Sequence, residues 1–443
     1  MTTLHPRPST PTPASVTLAP TSAPDWLTVI RHAARLEFAH LGLPQARAEA
    51  WRYTSVQPLE ALTRPTPPYP DAGRRSSAAP LVAAWASLTP CSLVLVNGHF
   101  VPELSRIAAL PRGAVAGDLK TAVADDLPSL KALFDLQTHD PGRGLTALNT
   151  ASFVDGVVLL VPAGVEVPEP IQVILIQVGE GTPTASQPRL VLSLGPESAA
   201  TFIETHLFAT TTPVAANVTT QVQLADGARL EHLRYCENAP AALHVERTEV
   251  TVSRDASYAS SVFLAGGALS RDELCVALNG PGAKVVASGL SLGHGRDHLD
   301  AQTVVEHHAP HTTSDQLYKA VYDDHASGVF AGKVVVHPGA VKTDARQSNR
   351  NLLCADTAVA DTRPQLEIYA DDVKCSHGAT VGALDPQALF YLQSRALGLD
   401  AARALLTRAF AAEALARVAN PGVKAAWQRE LGRRLGAAEG FPS

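Results

Sequence analysis

The chain has 443 residues, 46% hydrophobic and 5% aromatic, which suffices for one long core or for two or three domains. Its formal net charge of −6 gives no electrostatic case for nucleic acid or an anionic membrane surface as a partner. Five scattered cysteines without a C-x-x-C spacing argue against a disulfide framework and a self-contained zinc ribbon. No basic and apolar leader and no apolar run of membrane length is present, so we expect a cytoplasmic protein.

The first part of the chain divides into a tail and a mainly helical region. Residues 1–24 are rich in Thr, Pro, Ser and Ala, which predicts a disordered tail. From 25 to 150 we predict mainly helix, starting at Asp25 as an N-cap. Asn97-Gly98 between two apolar runs predicts a β-hairpin over 92–101. We also expect the aromatic residues of the run Glu49–Thr54 to dock on another part of the protein.

Residues 151–382 have a different pattern. Short β-branched runs recur there, many about ten residues apart, with Gly, Pro, Asn or Asp between them and no interrupting helical period. This argues against a doubly wound α/β fold, which needs a helix between parallel strands. A large sandwich, a propeller and a β-helix remain. The missing Trp-Asp blade repeat counts against the propeller.

Residues 383–443 predict a C-terminal helical region. Asp385-Pro386 supplies an N-cap and a first-turn proline, Gly398 suits the end of that helix, and Asp400 suits the cap of the next. Basic residues outnumber acids in this region, which indicates either a solvated helix face or a docking surface for a partner protein.

The run Cys375-Ser-His377 is the main candidate site. In an extended strand, side chains two residues apart point to the same face, so the thiol and the imidazole share a direction. A sulfur and a nitrogen ligand suit iron, zinc or an iron–sulfur cluster. Two ligands do not complete a site, and a small buried cysteine beside a hydrogen-bonded histidine explains the same spacing.

Other patterns carry weaker signals. The run Gly328–Val334 is one residue short of a phosphate-binding loop and has valine where Ser or Thr would hold magnesium, so we reject it. A cluster of His307, His308 and His311 could bind metal, but its turn-like neighbours favour a structural or surface role. Acid pairs at Asp323-Asp324 and Asp371-Asp372 suggest carbohydrate cleavage as an alternative function.

Long contiguous motifs resemble the SufB/SufD family of iron–sulfur cluster assembly scaffolds, and weaker similarity extends over nearly everything after the tail. Within the family, the run Cys375–Thr380 is similar to the SufD branch, whereas SufB has a glutamate- and histidine-rich counterpart and cysteines that this chain lacks. The motifs are Ser314–Lys319, Gly328–Val334, His337–Gln347, Asn351–Leu353, Pro364–Glu367, Asp371–Gly382 and Leu389–Arg395.

The resemblance implies a right-handed parallel β-helix core, 151–382, between helical N- and C-terminal regions. It implies a non-catalytic scaffold that pairs with SufB through the core and docks the ATPase SufC through the C-terminal helices. A nascent cluster would form at the SufB–SufD interface, with His377 as a ligand or proton carrier and Cys375 as the weaker candidate. Reduced flavin is associated with the family complex, although no flavin site is visible in this sequence. A homodimer of the isolated chain, a standalone β-helix carbohydrate hydrolase or lyase, and a zinc-binding β protein stay open as alternatives.

Overall fold

The structure, a computed structural model, describes residues 24–125, 128–134, 143–179, 181–210 and 212–435. The tail predicted over 1–24 lies outside these residues except for Pro24. The helices are α1 (Asp25–Leu41), α2 (Ala72–Trp85), α3 (Leu119–Ala124), α4 (Pro128–Phe134), α5 (Gly144–Ser152), α6 (Pro386–Ser394), α7 (Leu399–Leu415) and α8 (Pro421–Arg434).

Strands make up most of the chain between α2 and α6. They are β1 (Cys91–Val96), β2 (His99–Phe100), β3 (Val115–Asp118), β4 (Gly156–Val161), β5 (Ile171–Gly179), β6 (Thr184–Ser186), β7 (Arg189–Leu194), β8 (Ala199–Thr210), β9 (Val214–Leu224), β10 (Arg229–Glu237), β11 (Leu243–Val252), β12 (Ser257–Ala265), β13 (Leu269–Leu278), β14 (Lys284–Gly293), β15 (His298–His307), β16 (Thr313–Tyr322), β17 (Ser327–Val336), β18 (Asp344–Leu353), β19 (Val359–Ile368) and β20 (Lys374–Gly382).

The strands form a parallel β-solenoid of two ten-stranded sheets. Sheet A has the order β2-β1-β5-β8-β10-β12-β14-β16-β18-β20, and sheet B has the order β19-β17-β15-β13-β11-β9-β7-β4-β3 with β6 beside β9. The chain alternates between the sheets, and one turn takes roughly 30 residues. Ser257 therefore pairs with Lys284 one turn later, and Lys284 pairs with Thr313 in the turn after that. The predicted fold class, a parallel β-helix between helical regions, is confirmed.

The alternation of side chains explains why the chain coils in this way. Inward residues of both sheets form one long apolar cluster, which includes Leu175, Leu192, Val222 and Val276. A run of apolar residues buried on both faces suits a strand that is covered inside by the opposite sheet and outside by helices. This is the case for β5, where the first eight of the nine residues are buried.

Helices cover the outer faces of the sheets. The helices α1, α3 and α4 pack on the outside of β4 and β7 through a cluster that includes Leu27, Leu119 and Leu130. The helices α7 and α8 pack on the outside of sheet A, where Trp427 is 1% exposed and contacts the ring of Phe263. Among the described residues, no helix combines the length and the apolar character needed to cross a membrane.

The N-terminal region contains the predicted hairpin. β1 and β2 form the antiparallel hairpin expected at Asn97-Gly98, and β1 also pairs in parallel with β5 as part of sheet A. Trp51 docks as expected and is 4% exposed, whereas Tyr53 is 41% exposed. Asp25 is the first residue of α1 rather than its cap, because Pro24 takes the cap position.

The boundaries of the C-terminal helices differ slightly from the predictions. The Asp385 side chain caps α6 as predicted and accepts a hydrogen bond from the Gln387 N–H at 2.9 Å. Ala396 takes the left-handed conformation after α6, with φ +67°. Gly398, predicted for that role, instead precedes α7 with φ −60°, and Asp400 lies in the first turn of α7 rather than at its cap.

The motif Gly328–Val334 lies in a strand, which agrees with its rejection as a phosphate-binding loop. It forms most of β17. A Cβ atom added to Gly328 would clash with the Tyr322 ring, and one added to Gly332 would clash with the Gln347 side chain. The glycines therefore make room inside the solenoid, and their role is packing.

Candidate functional site

The C-terminal end of the solenoid is formed by the last strand of each sheet. In the part of the chain that the structure describes, β20 pairs only with β18 in sheet A, and β19 is the terminal strand of sheet B. All residues of β19 and β20 are half-buried or exposed. A strand with a free edge presents backbone N–H and C=O groups that another chain can pair with.

Cys375 and His377 lie on β20, at this end. They are in register with Ala345 and Gln347, which are 1% and 3% exposed, so both occupy inward-facing positions. Their surroundings differ nevertheless. Cys375 packs against a small apolar cluster around Val334 and Ala345, whereas His377 is exposed because the described chain places no further turn over it.

The electrostatic surroundings separate the two residues further. Burial, reinforced by the nearby Asp344 carboxylate, raises the pKa of the Cys375 thiol. The thiolate is the form that binds metal or sulfur, so this shift makes Cys375 a weaker ligand. The imidazole of His377 is exposed and open to a partner, which supports ranking it ahead of Cys375.

Apolar side chains surround the same end. Their exposed fractions are 50% for Val359, 43% for Ile368, 60% for Tyr369 and 45% for Val381. Apolar residues exposed along the terminal strands of a sheet mark a surface for another protein.

The histidine cluster at 307–311 divides into separate environments. His307 is fully buried, and its two ring nitrogens bond to Thr312 at 2.8 Å and to Ser314 at 3.0 Å. His308 instead stacks on His337 with ring centroids 4.0 Å apart, and both rings lie 3.5 Å from the Glu306 carboxylate. His311 lies in a turn with φ +59°. The structural role predicted for this cluster therefore fits His307, and His308 belongs to a surface group.

We expect His307 to make stability depend on pH. Burial, with His308 and His337 nearby, lowers its pKa to about 4, against an unfolded value of about 6.5. As the pH falls from 6.5 to 4, the unfolded chain takes up a proton that the folded chain refuses, so stability is lost. The free energy of unfolding decreases by about 3 kcal/mol over this range. In thermal melts, the difference in free energy of unfolding between wild type and His307→Gln should decrease by that amount from pH 7 to pH 4. A difference in stability that stays constant from pH 7 to pH 4 would contradict the assignment.

The paired acids lie in turns between strands. Asp324 has φ +52° and pairs with His294 at 3.2 Å, and Asp372 has φ +57° and forms an ion pair with Lys342. Each pair serves a tight turn, and no observation places the two pairs across a common cleft. The carbohydrate hydrolase alternative therefore gains no support from the geometry.

The C-terminal helices use part of their basic face within the chain. Arg417 pairs with Asp315 at 3.2 Å, and Arg433 and Arg434 pair with Glu237 at 2.9 and 2.7 Å. Lys319, from the motif Ser314–Lys319, lies 3.9 Å from the centre of the Phe410 ring and also pairs with Glu413. These contacts hold α7 and α8 on the solenoid. By contrast, α6 has no buried residue, and its Phe390 and Tyr391 are 73% and 57% exposed.

A group of ionisable residues inside the solenoid was missed by the sequence reasoning. Inward positions of β8, β10 and β11 hold Glu204, His206, His232, Arg234, Cys236, His244 and Glu246, all at most 1% exposed. The signal was available: each of these strands has titratable residues two apart, the same spacing that singled out Cys375 and His377.

Comparison with known proteins matches this architecture over most of the chain. A family model for the core domain of SufBD proteins, in SUF-system FeS cluster assembly, matches residues 175–410, and a model for the SufBD N-terminal region matches 85–173. The iron–sulfur cluster assembly protein SufD of Escherichia coli is 31% identical over 398 residues, covering 89% of this chain and 90% of that protein. A SufBD family iron–sulfur cluster assembly protein of Synechocystis is 31% identical over 390 residues, covering 85% and 84%. SufD of Bacillus subtilis is 28% identical over 319 residues, covering 71% and 72%. The chain therefore belongs to the SufBD family of iron–sulfur cluster assembly proteins, as a homologue of SufD.

Proposed function

We propose that this chain is a scaffold subunit of a SUF complex and pairs with a SufB-type protein through the C-terminal end of its solenoid. The observation that carries the proposal is that end itself: two terminal strands that bear exposed apolar side chains and an exposed imidazole. A second β-solenoid would cover the apolar residues and pair with the free strand edges, as in other cases of β-strand addition.

In this arrangement, a nascent iron–sulfur cluster is the cargo and forms between the two chains. His377 supplies a nitrogen ligand or accepts a proton from this side, and the partner supplies the main sulfur ligands. Cys375 takes a lesser part because burial and the nearby Asp344 carboxylate raise the pKa of its thiol. The chain itself catalyses no reaction in this proposal.

We further propose that α6 is the main contact for an ATPase of the SufC type. The helices α7 and α8 bury their apolar faces against sheet A, whereas α6 leaves Phe390 and Tyr391 open to solvent. An amphipathic helix with exposed aromatic anchors suits a groove on a partner protein. ATP binding and hydrolysis belong to that partner.

The test is to co-express the chain with SufB and SufC homologues, purify the complex without air, and measure its subunits, iron and sulfide. We expect His377→Ala to leave folding and subunit composition intact. Because a ligand is lost, cluster content should fall roughly tenfold or more. Cys375→Ser should have a smaller effect, and Ser376→Ala, the exposed neighbour between them, should have none. Unchanged iron and sulfide in the His377→Ala complex, or a failure of the three proteins to co-purify, would refute the proposal.

A further inference from the structure

Three side chains inside the solenoid bring metal-binding atoms together. Nitrogen atoms of His206 and His244 and a carboxylate oxygen of Glu246 all lie within 4.8 Å of one another. The Nε2 atoms of His206 and His244 are 3.5 and 3.9 Å from Glu246 Oε2. In a tetrahedral zinc site, ligand atoms lie about 3.3 Å apart, so small side-chain shifts complete the geometry. Cys236, in register with His206, places its sulfur 4.0 Å from the same oxygen.

One of these nitrogens lacks a hydrogen-bond partner. His244 is 1% exposed, and within the described chain its Nε2 has no hydrogen bond. The neighbouring imidazoles differ in this respect: His206 bonds to Glu204 at 3.0 Å, and His232 bonds to Glu204 at 2.6 Å and to Tyr258 at 2.8 Å. A buried polar atom without a partner is costly, and a metal ion is one way to satisfy it.

The charges of the cluster are also compatible with a bound cation. Two buried carboxylates, on Glu246 and Asp272, share the guanidinium of Arg234, which pairs with Asp272 and lies 3.5 Å from Glu246. A divalent cation would add positive charge beside Glu246, the carboxylate that lies farther from Arg234.

We propose that the interior of the solenoid binds one divalent transition-metal ion, zinc(II) or iron(II), through His206, His244 and Glu246, with Cys236 as the neighbouring fourth donor. Two imidazoles and one carboxylate are a ligand set that both ions use. The site is separate from the exposed His377 surface and has a structural role, tying β8, β10 and β11 together. It does not depend on the function proposed above.

The test uses the full chain expressed in medium supplemented with zinc or, without air, with iron(II). The native protein is treated with a chelator before metal analysis. This removes ions from exposed groups such as Glu306, His308 and His337, whereas interior metal leaves only when the solenoid opens. We expect about one metal ion per chain to remain in wild type and in His377→Ala. In His244→Phe the retained metal should fall at least tenfold.

Folding of the variants is checked by circular dichroism and thermal melting. His244→Phe removes a nitrogen that forms no hydrogen bond, and Glu246→Gln, a second variant of similar shape, should lose the metal as well. In cobalt-loaded protein, Cys236→Ser should remove the thiolate charge-transfer band if the sulfur is the fourth ligand. A wild-type chain without chelator-resistant metal in either medium, or full retention in folded His244→Phe, would overturn the proposal.

Discussion

Replacing Arg271 by leucine is expected to release the N-terminal segment 49–54 from sheet B and to cost about 3–5 kcal/mol of stability. Arg271 is 2% exposed and holds that segment in two ways. Its guanidinium donates to the Ala50 carbonyl at 3.0 Å and lies 3.8 Å from the centre of the Trp51 ring. It also pairs with Asp300 and, at 2.6 Å, with Glu273.

The cost arises mainly from the charge that would be left behind. Asp300 is fully buried and accepts hydrogen bonds from Thr54 and Gln302, both at 2.6 Å, but its cationic partner is Arg271. Without that cation the carboxylate stays buried and uncompensated. Arg271→Lys should recover only part of the loss, because an ammonium group cannot contact the carboxylates, the carbonyl and the ring at once.

The measurements are thermal melting and hydrogen exchange of residues 49–54. Arg346→Ala is the control, since it breaks an ion pair to Asp344 in which the Arg346 side chain is 69% exposed. Such pairs contribute about 1 kcal/mol or less. In the double variant Arg271→Leu, Asp300→Asn, the loss should be smaller than the sum of the two single losses. A cost for Arg271→Leu no greater than that of the control would contradict the prediction.

The second large effect concerns pairing with a SufB-type partner. Replacing Tyr369 and Val381 by aspartate is expected to weaken the heterodimer about a thousandfold. Loss of two interface anchors at about 2 kcal/mol each gives that factor. The two side chains lie at the uncovered end of the solenoid and are 60% and 45% exposed, so the changes should not disturb folding.

Binding is measured by isothermal titration with the purified partner. The control is Phe390→Ala, Tyr391→Ala on α6, which should leave SufB binding unchanged and weaken SufC binding. If the aspartate variant binds SufB as tightly as wild type does, the interface lies elsewhere. If the α6 variant loses SufB binding instead, the two docking surfaces have been assigned to the wrong partners.

The strands of the solenoid could be predicted because their signals are local, whereas the choice of a β-helix came from the family resemblance. Turn residues between short β-branched runs set the strands, and Asn97-Gly98 and Asp385-Pro386 set a hairpin and a helix start. The position of Ala396 could not be predicted, because a non-glycine residue takes the left-handed conformation only where its surroundings impose it. The separation of His307 from His308 also needed the end of the strand, since β15 ends at the buried His307 and His308 lies just beyond it.

The site was predictable only in part. Spacing alone gave Cys375 and His377 a common direction, and the inward register of both residues agrees with it. Their different burial follows from the position of β20 at the end of the solenoid, which strand spacing does not report. The interior ionisable cluster depends on which strands stack on which, so Glu204 and Glu246 come together across 42 residues only once the coil is known.

The order in which the turns are synthesised has a consequence for assembly. Each turn of the solenoid contacts mainly the turns before and after it, so the nascent chain can complete one turn for roughly every 30 residues that leave the ribosome. β19 and β20 are the last strands to be translated, and α6 to α8 follow them. The two exposed strands at the end of the coil therefore form after the other described strands, and chains that grow on one polysome lack these strands while the earlier turns fold.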